Sequence, residues 1–493
     1  MGKSCVRYAW IAVVAVLTPL PLSGSTRAAS EGIVPVGTQK QLFLDDSIVE
    51  QMSGLRRVPH RAEKYAGNPV VRNDRPWDRG MMYPVVVIRD APAGLFHMWY
   101  RGVSAPAPKP GVESLCYARS RDGIKWEKPD LGLVKFEDVA GTNILGGNTM
   151  VAGFLDLEAP PERRFVALRG GSSPASVAVF VSPDGLHWQP LGESSGDLRK
   201  TPSSPPNPSA RYFFTGQCWA GNTAWRAPRR GVMCVDSDNL TDWSGRRTIF
   251  RGGPEEPNLE FYTMSPVDIR RDHAQGDFFL GLLHCFRTDP NGKRNPGNQT
   301  AMSGPIDIEL AFSRDTVTWQ RLEGEPFLPT GPAGSFDAGM ILLNSMVEYG
   351  DRLLFYYGGA DFDHGEFVGQ PSKEGHAQIG LATLRRDGFV SLEPEGDRGV
   401  LTTRPFLCAG DELLVNAHAR RGKLVVEALD ENGRPQPGFS AADCQPIAQD
   451  GLRVRVQWRQ RALSALRGHV IRLRFVLHGD AALYAFQVAP AGR

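Results

Sequence analysis

The sequence predicts an all-β protein: a five-bladed β-propeller followed by a small, jelly-roll-like β-sandwich. Three observations predict it. A hairpin signature returns five times at near-even spacing. Glycine, proline and aromatic residues are plentiful, and no long stretch keeps a helical period. Past about Leu392 the pattern turns to short strands of alternating apolar and polar residues.

The repeat is an apolar strand, a Ser-x-Asp-Gly turn and a large aromatic. It runs Tyr117–Trp126, Val179–Trp188, Met233–Trp243, Leu310–Trp319 and Leu381–Phe389, the last with Phe in place of Trp. Each copy reads as a β-hairpin whose tight turn uses Asp with Gly or Asn. The closing aromatics stand 62, 55, 76 and 70 residues apart. Five such units at this spacing imply radial repetition. Asp122, Asp184, Asp238, Asp315 and Asp387 belong to these turns and read as structural.

Residues 1–30 read as a signal peptide: a basic start at Lys3 and Arg7, an apolar stretch Tyr8–Leu22 broken by Pro19 and Pro21, then small residues. The stretch is too short to span a bilayer, and the protein is expected to be secreted or periplasmic. Without Lys3, Arg7 and Arg27 the chain keeps 53 basic and 54 acidic residues, a net of −1. That balance gives no electrostatic reason to bind nucleic acid. Cys116, Cys218, Cys234, Cys285, Cys408 and Cys444 have the spacing of no metal site. They are expected to be mostly buried thiols, with one disulfide allowed.

Residues 31–392 are assigned to the propeller and 393–493 to the sandwich. Gln41–Val49 is expected to complete the last blade and close the ring. Tyr83–Ile88, Phe261–Val267 and Met340–Val347 are candidate inner strands of blades one, four and five. Blade three is the least regular, with Tyr212–Phe214 and Cys218–Gly221 as its first strands after the proline-rich link Thr201–Pro208. Leu424–Leu429, Leu452–Trp458 and Ile471–Leu477 are sandwich strands.

In a propeller, residues at the starts of inner strands face a central channel. Asp78, Glu260 and Asp337 each lie at such a start, beside an aromatic residue and shortly before Met. Three carboxyls converging on one mouth would push at least one pKa up, giving a protonated acid beside an ionised partner. Glycosidic hydrolysis needs that pair. Trp77, Phe261, Tyr262 and Phe336 would give sugar rings apolar platforms, with Tyr83 at the start of the first inner strand. Arg79 is a candidate for holding an anionic substituent. His364, on the Gly-rich loop after Tyr357, is a candidate for the pocket wall. His284 reads as a core histidine, and Asp45 and Asp46 as strand-end residues. No metal motif, phosphate loop or nucleophile elbow is present, so no metal or cofactor is expected.

Eight stretches carry a family likeness: Leu42–Asp46, Pro76–Asp78, Met98–Gly102, Tyr117–Gly123, Glu260–Tyr262, Gly334–Asp337, Tyr356–Gly359 and Gly380–Phe389. Through them the chain resembles the five-bladed propeller glycoside hydrolases of families 32 and 43, especially the secreted family 32 N-terminal-like group. The segment from Thr403–Phe406 through Leu483–Phe486 is similar to the β-sandwich that often follows. The family 43 resemblance implies an Asp base, an Asp modulator and a Glu acid. Glu260 matches the acid, and Asp78 or Asp337 the base. The Asn-Asp-Pro, Arg-Asp-Pro and Glu-Cys motifs of family 32 are not in place, which leaves retaining and inverting chemistry both open. The expected function is hydrolysis of oligo- or polysaccharides in the central pocket. The alternatives are a non-catalytic glycan-binding propeller and, last, a glycoside phosphorylase, for whose phosphate only Arg79 stands near a candidate acid.

Overall fold

The computed structural model describes residues 32–104, 112–147, 150–170, 176–194, 198–200, 203–222, 225–274, 278–292, 294, 301–322, 324–369 and 377–492. The expected signal peptide, residues 1–30, lies outside them. The protein is nearly all β, with one short helix and a few single 3₁₀ turns among the described residues.

The chain enters through three short strands, β1 (Lys40–Leu42), β2 (Val49–Ser53) and β3 (Leu55–Pro59), then β4 (Glu63–Lys64). Five antiparallel meanders follow. The first is β5 (Met81–Asp90), β6 (Leu95–Val103), β7 (Glu113–Ser120) and β8 (Ile144–Gly146). The second is β9 (Met150–Leu155), β10 (Phe165–Gly170), β11 (Val177–Ser182) and β12 (Gln189–Glu193). The third has three strands, β13 (Tyr212–Asn222), β14 (Trp225–Ser237) and β15 (Ser244–Arg251). The fourth is β16 (Leu259–Pro266), β17 (Phe279–Arg287), β18 (Ile306–Ser313) and β19 (Gln320–Arg321). The fifth is β20 (Met340–Tyr349), β21 (Arg352–Ala360) and, after helix α1 (His364–Gly369), β22 (Ala377–Arg385).

Two expectations are corrected here. Strand β4 completes the fifth sheet, with Lys64 opposite Ala382. The segment Gln41–Val49 does not, because β1 pairs with a C-terminal strand, Leu42 opposite Ala485. Both segments have strand-forming sequence, and a pattern of two faces does not name the neighbour. In sheet three, Tyr212–Phe214 and Cys218–Gly221 form one continuous strand rather than two. The Ser-x-Asn turn of this sheet joins β14 to β15, whereas in sheets one, two and four it follows the third strand. Among the described residues sheet three therefore lacks the first strand that the others have, and β13 is its innermost.

The strands β5, β9, β13, β16 and β20 line one axial cavity of about 390 Å³. Side chains tie these strands across sheets. The Thr215 hydroxyl donates to the Met264 carbonyl (2.6 Å), Ser265 to Asn344 (2.9 Å), and Asn344 Nδ2 to the Pro84 carbonyl (2.9 Å). The four true first strands each carry a bulge, leaving Val85, Val151, Tyr262 and Asn344 without a cross-strand partner. A bulge breaks the two-residue alternation and re-aims side chains.

The turns of the first, second and fourth copies work as the sequence implies, whereas in the fifth Asp387 is itself left-handed (φ 60°) and its carboxylate pairs with Lys40. Asp122 Oδ1 accepts from the backbone N–H of Ile124 and Lys125, and Asp184 and Asp315 repeat the pattern. In the third copy Asn239, not Asp238, holds this position. The residue after the Asp or Asn is left-handed: Gly123 (φ 74°), Gly185 (75°), Leu240 (68°) and Thr316 (62°). Its carbonyl receives a side chain from the preceding sheet, Tyr356 Oη at Gly123 and Trp99 Nε1 at Gly185.

The C-terminal part is a β-sandwich of β23 (Val390–Pro394), β24 (Arg398–Thr403), β25 (Phe406–Leu407), β26 (Glu412–His418), β27 (Gly422–Leu429), β28 (Asp450–Arg455), β29 (Val470–Gly479) and β30 (Ala482–Ala489). One sheet runs β28-β26-β30-β23-β3 with β1 beside β30. The other joins β2, β24, β29, β25 and β27. The N-terminal strands β1–β3 thus belong to the sandwich. Phe43, Ile48, Val49 and Leu55 sit in its core, while Leu42 and Leu44 share a second core with Phe278, Phe355 and Phe389. The six cysteines are free and buried.

Candidate functional site

Asp78 and Asp337 occupy matching places in sheets one and five. Each lies in an aromatic-Asp-x-Gly-Met segment entering the first strand: Trp77-Asp78-Arg79-Gly80-Met81 and Phe336-Asp337-Ala338-Gly339-Met340. Asp78 Oδ2 accepts from Lys128 Nζ (2.6 Å) and Tyr100 Oη (2.9 Å). Asp337 Oδ2 accepts from Lys64 Nζ (2.6 Å) and Tyr357 Oη (2.9 Å). An asparagine amide closes each cluster by donating to the tyrosine oxygen, Asn143 to Tyr100 (2.7 Å) and Asn68 to Tyr357 (3.2 Å). Both carboxylates are buried, at 0% and 2% exposure, and neither lines the axial cavity. Burial pushes the Asp78 carboxyl up, against the pull of Lys128.

The neighbours of these acids follow them into the blades. Trp77 is buried and donates to Asn143 Oδ1 (2.7 Å), and Phe336 stacks on Tyr357 (6.1 Å, 21°). Neither ring is a platform at the cavity. Arg79 lies on the turn into β5, where its carbonyl accepts from Asn73, and is not among the cavity-lining residues. In the sequence the two acids read as channel residues, because an acid before an inner strand looks the same whichever way it turns. Their Lys and Tyr partners lie 50 and 273, and 22 and 20, residues away.

Glu260, Tyr262, Tyr83 and His364 do come together, with residues the sequence reading did not single out. Glu260 is buried (2%) and pairs with Arg230 Nη1 of β14 at 2.9 Å. Arg230 also donates to the Ala301 carbonyl (2.7 Å), and its guanidinium lies over the rings of Phe286 (5.1 Å), Trp219 (5.4 Å) and Tyr262 (5.8 Å). The bulge in β16 sets Tyr262 against His364 (5.2 Å, edge-on). His364 Nδ1 meets the Met302 carbonyl (2.8 Å), and burial pushes its pKa down. From sheet one, Arg101 Nη1 donates to Tyr83 Oη (2.5 Å), and Arg101 pairs with Glu113 across β6 and β7. Tyr83 and Arg101 line the axial cavity. Burial raises both tyrosine hydroxyls, and the Arg101 and Arg230 charges both act on Tyr262. Trp219 is 44% exposed beside Arg230.

This cluster draws on four sheets, which is why Arg101, Glu113, Trp219 and Arg230 carry no local motif; Tyr83 and Arg101 line the axial cavity, and Glu260, Tyr262, Arg230 and His364 stand beside it without lining it. The signal that was present is Arg101 within Met98–Gly102. Among the described residues, Cys285, Asp307 and Glu309 are close enough to hold a metal. Arg287 already bonds both carboxylates and Arg321 bonds Glu309, so the donor set is spent on guanidinium.

No protein-family model matches the chain, and no curated protein does. Solved structures align with it only loosely. A glycoside hydrolase aligns over 66% of this chain and 92% of its own, at 12% identity and a TM-score of 0.43. A glycosyl hydrolase from Bacteroides ovatus covers 66% and 94%, at 14% identity and a TM-score of 0.39. An N-acetylgalactosamine deacetylase from F. plautii, solved with blood group B trisaccharide, covers 68% and 97%, at 17% identity and a TM-score of 0.39.

Proposed function

We propose that this is an exported carbohydrate-active protein that binds a glycan at the mouth of the axial cavity and hydrolyses a glycosidic bond there, with Glu260 at the reacting centre. The observation that carries the reading is the buried Glu260–Arg230 pair beside the exposed indole of Trp219. An indole face, a tyrosine pair and convergent charged groups are what a sugar ring and its hydroxyls require of a pocket. Held by Arg230, Glu260 takes the part of base or nucleophile in this reading, the reverse of the role implied by the family 43 resemblance. Glu113, paired with Arg101, is the second carboxyl at this mouth. The export signal is residues 1–30.

The test is a glycan panel with product analysis. The Glu260→Gln variant is expected to fold, to bind glycan and to lose about 10²–10⁴-fold in turnover. Hydrolysis at the parent rate would remove Glu260 from the reaction. A non-catalytic glycan-binding protein is the second reading, favoured by the absence of all three candidate acids, Asp78, Glu260 and Asp337, from the cavity lining. Binding without product from any member of the panel would decide for it.

A further inference from the structure

The hydrogen-bonding capacity left over at this mouth is unbalanced. Its two carboxylates, Glu113 and Glu260, each hold an arginine through one oxygen. Donors are in excess: the Tyr83 hydroxyl accepts from Arg101 and keeps its own proton, and two further donors have no partner among the described residues. One is Arg101 Nε, which is buried, although Nη1 bonds Tyr83 and the other arm of the fork pairs with Glu113. The Tyr262 hydroxyl bonds nothing among the described residues, and both Arg101 and Arg230 are near enough to act on it. A neutral sugar hydroxyl would meet donors with a group that is itself half donor. A group that only accepts fits better, because a guanidinium fork and a phenol match the oxygens of an oxyanion. Glu113 supplies the competing interaction: it is 45% exposed, so a ligand anion can displace it from Arg101 at little cost.

We infer that the mouth is an oxyanion site, in which Arg101 and the Tyr262 hydroxyl take a carboxylate carried on the glycan or a free inorganic anion. The inference rests on the proposed glycan site and gives it a substrate class: acidic oligosaccharides, such as uronic acid chains, rather than neutral ones. Arg101 is then a specificity-determining residue, and Glu113 holds its fork in place until the ligand arrives.

The experiment is titration of the full chain, at low and moderate salt, with galacturonate oligosaccharides, galactose oligosaccharides of the same linkage and length, inorganic phosphate and inorganic sulfate. The acidic oligosaccharide is expected to bind about tenfold or more tighter than the neutral one, the scale of one hydrogen bond to a charged group. Arg101→Gln and Tyr262→Phe should each bring that ratio toward one, with folding checked by the thermal transition. Glu113→Gln, at a half-exposed position, should raise the acidic affinity by freeing the fork. Preference for phosphate or sulfate over both sugars assigns the site to a free anion; the oxyanion inference then stands and the glycan reading falls. Equal affinity for acidic and neutral sugars, with no binding of either inorganic anion, overturns the inference while leaving the glycan reading intact. An acidic preference that survives Arg101→Gln overturns the assignment to Arg101.

Discussion

Gly185 has two reasons to be glycine. Its φ of 75° is left-handed, and an added Cβ would come within 2.6 Å of Trp99 Cζ2. Gly132 has the first reason alone, with φ 63° and nothing within 4 Å of a Cβ. Gly132→Ala is expected to cost about 1 kcal/mol and Gly185→Ala roughly 2–4 kcal/mol, since overpacking adds to backbone strain. Denaturant midpoints of the two variants read the difference. Two histidines are also legible as single residues. His284 accepts from the Leu343 N–H, His97 stacks on Trp99, and burial holds both near a pKa of about 4 against the ordinary 6.5. Unfolded histidine therefore binds the proton more readily. The stability each contributes is complete above pH 6.5 and is lost as pH falls toward 4, on the order of 3 kcal/mol per residue. Replacing His97 with Gln should flatten the stability–pH curve in that window; an unchanged curve would show that other groups govern it. At this scale the sequence marked His284 as a core histidine and gave no sign of His97. It could not distinguish Asp238 from Asn239, because both are good turn formers and only hydrogen-bond register separates them.

The aromatic-Asp-x-Gly-Met segment is a device at the scale of a strand and its neighbours. It appears in sheets one and five, and its glycine counterparts on the second strands, Gly102 and Gly359, are pressed against the Asp side chains. Each buried carboxylate depends on a lysine from outside its hairpin. Lys64→Met should leave Asp337 buried without its cation and cost roughly 3–5 kcal/mol. The double variant Lys64→Met with Asp337→Asn should recover part of that loss. Full additivity of the two changes in a double-mutant cycle would argue that the pair is not coupled. The segment's likeness was visible in the sequence, and it pointed to function because the repeat stood out while the lysines did not. The missing first strand of sheet three was half visible, as irregularity between Thr201 and Cys218. Its meaning needed the turn position of Asn239, which shows that β14 is a third strand.

For the whole molecule, the boundary at 392 describes composition better than it describes folding units. Strands β1–β3 lie in the sandwich and β4 in the propeller, so the chain passes between the two near Pro59–Glu63 and again near Arg385–Val390. Contacts reinforce both passages: Lys40 with Asp387, Arg314 with Asp45, and Arg385 with Asn416 and Asp450. A fragment of residues 31–392 would expose Phe43, Ile48, Val49 and Leu55, which the sandwich core buries. It is expected to aggregate more than a fragment of residues 60–392, which drops those strands and keeps β4. Soluble yield and light scattering of the two fragments compare them, and equal behaviour would count against a shared core. Alternation in the sequence found the sandwich strands reliably because each is two-faced. It could not recruit β1–β3, whose partners lie more than 300 residues away.

Strand β4 also sets a clock. Lys64 is synthesised 321 residues before Arg385, the end of the strand that receives it. At roughly 5–20 residues per second, the segment that seals the ring waits for tens of seconds before its partner exists. During that interval sheet five cannot be finished, and the carboxylate of Asp337 has yet to meet its lysine. The last join in the circle is therefore made by one of the oldest pieces of the chain.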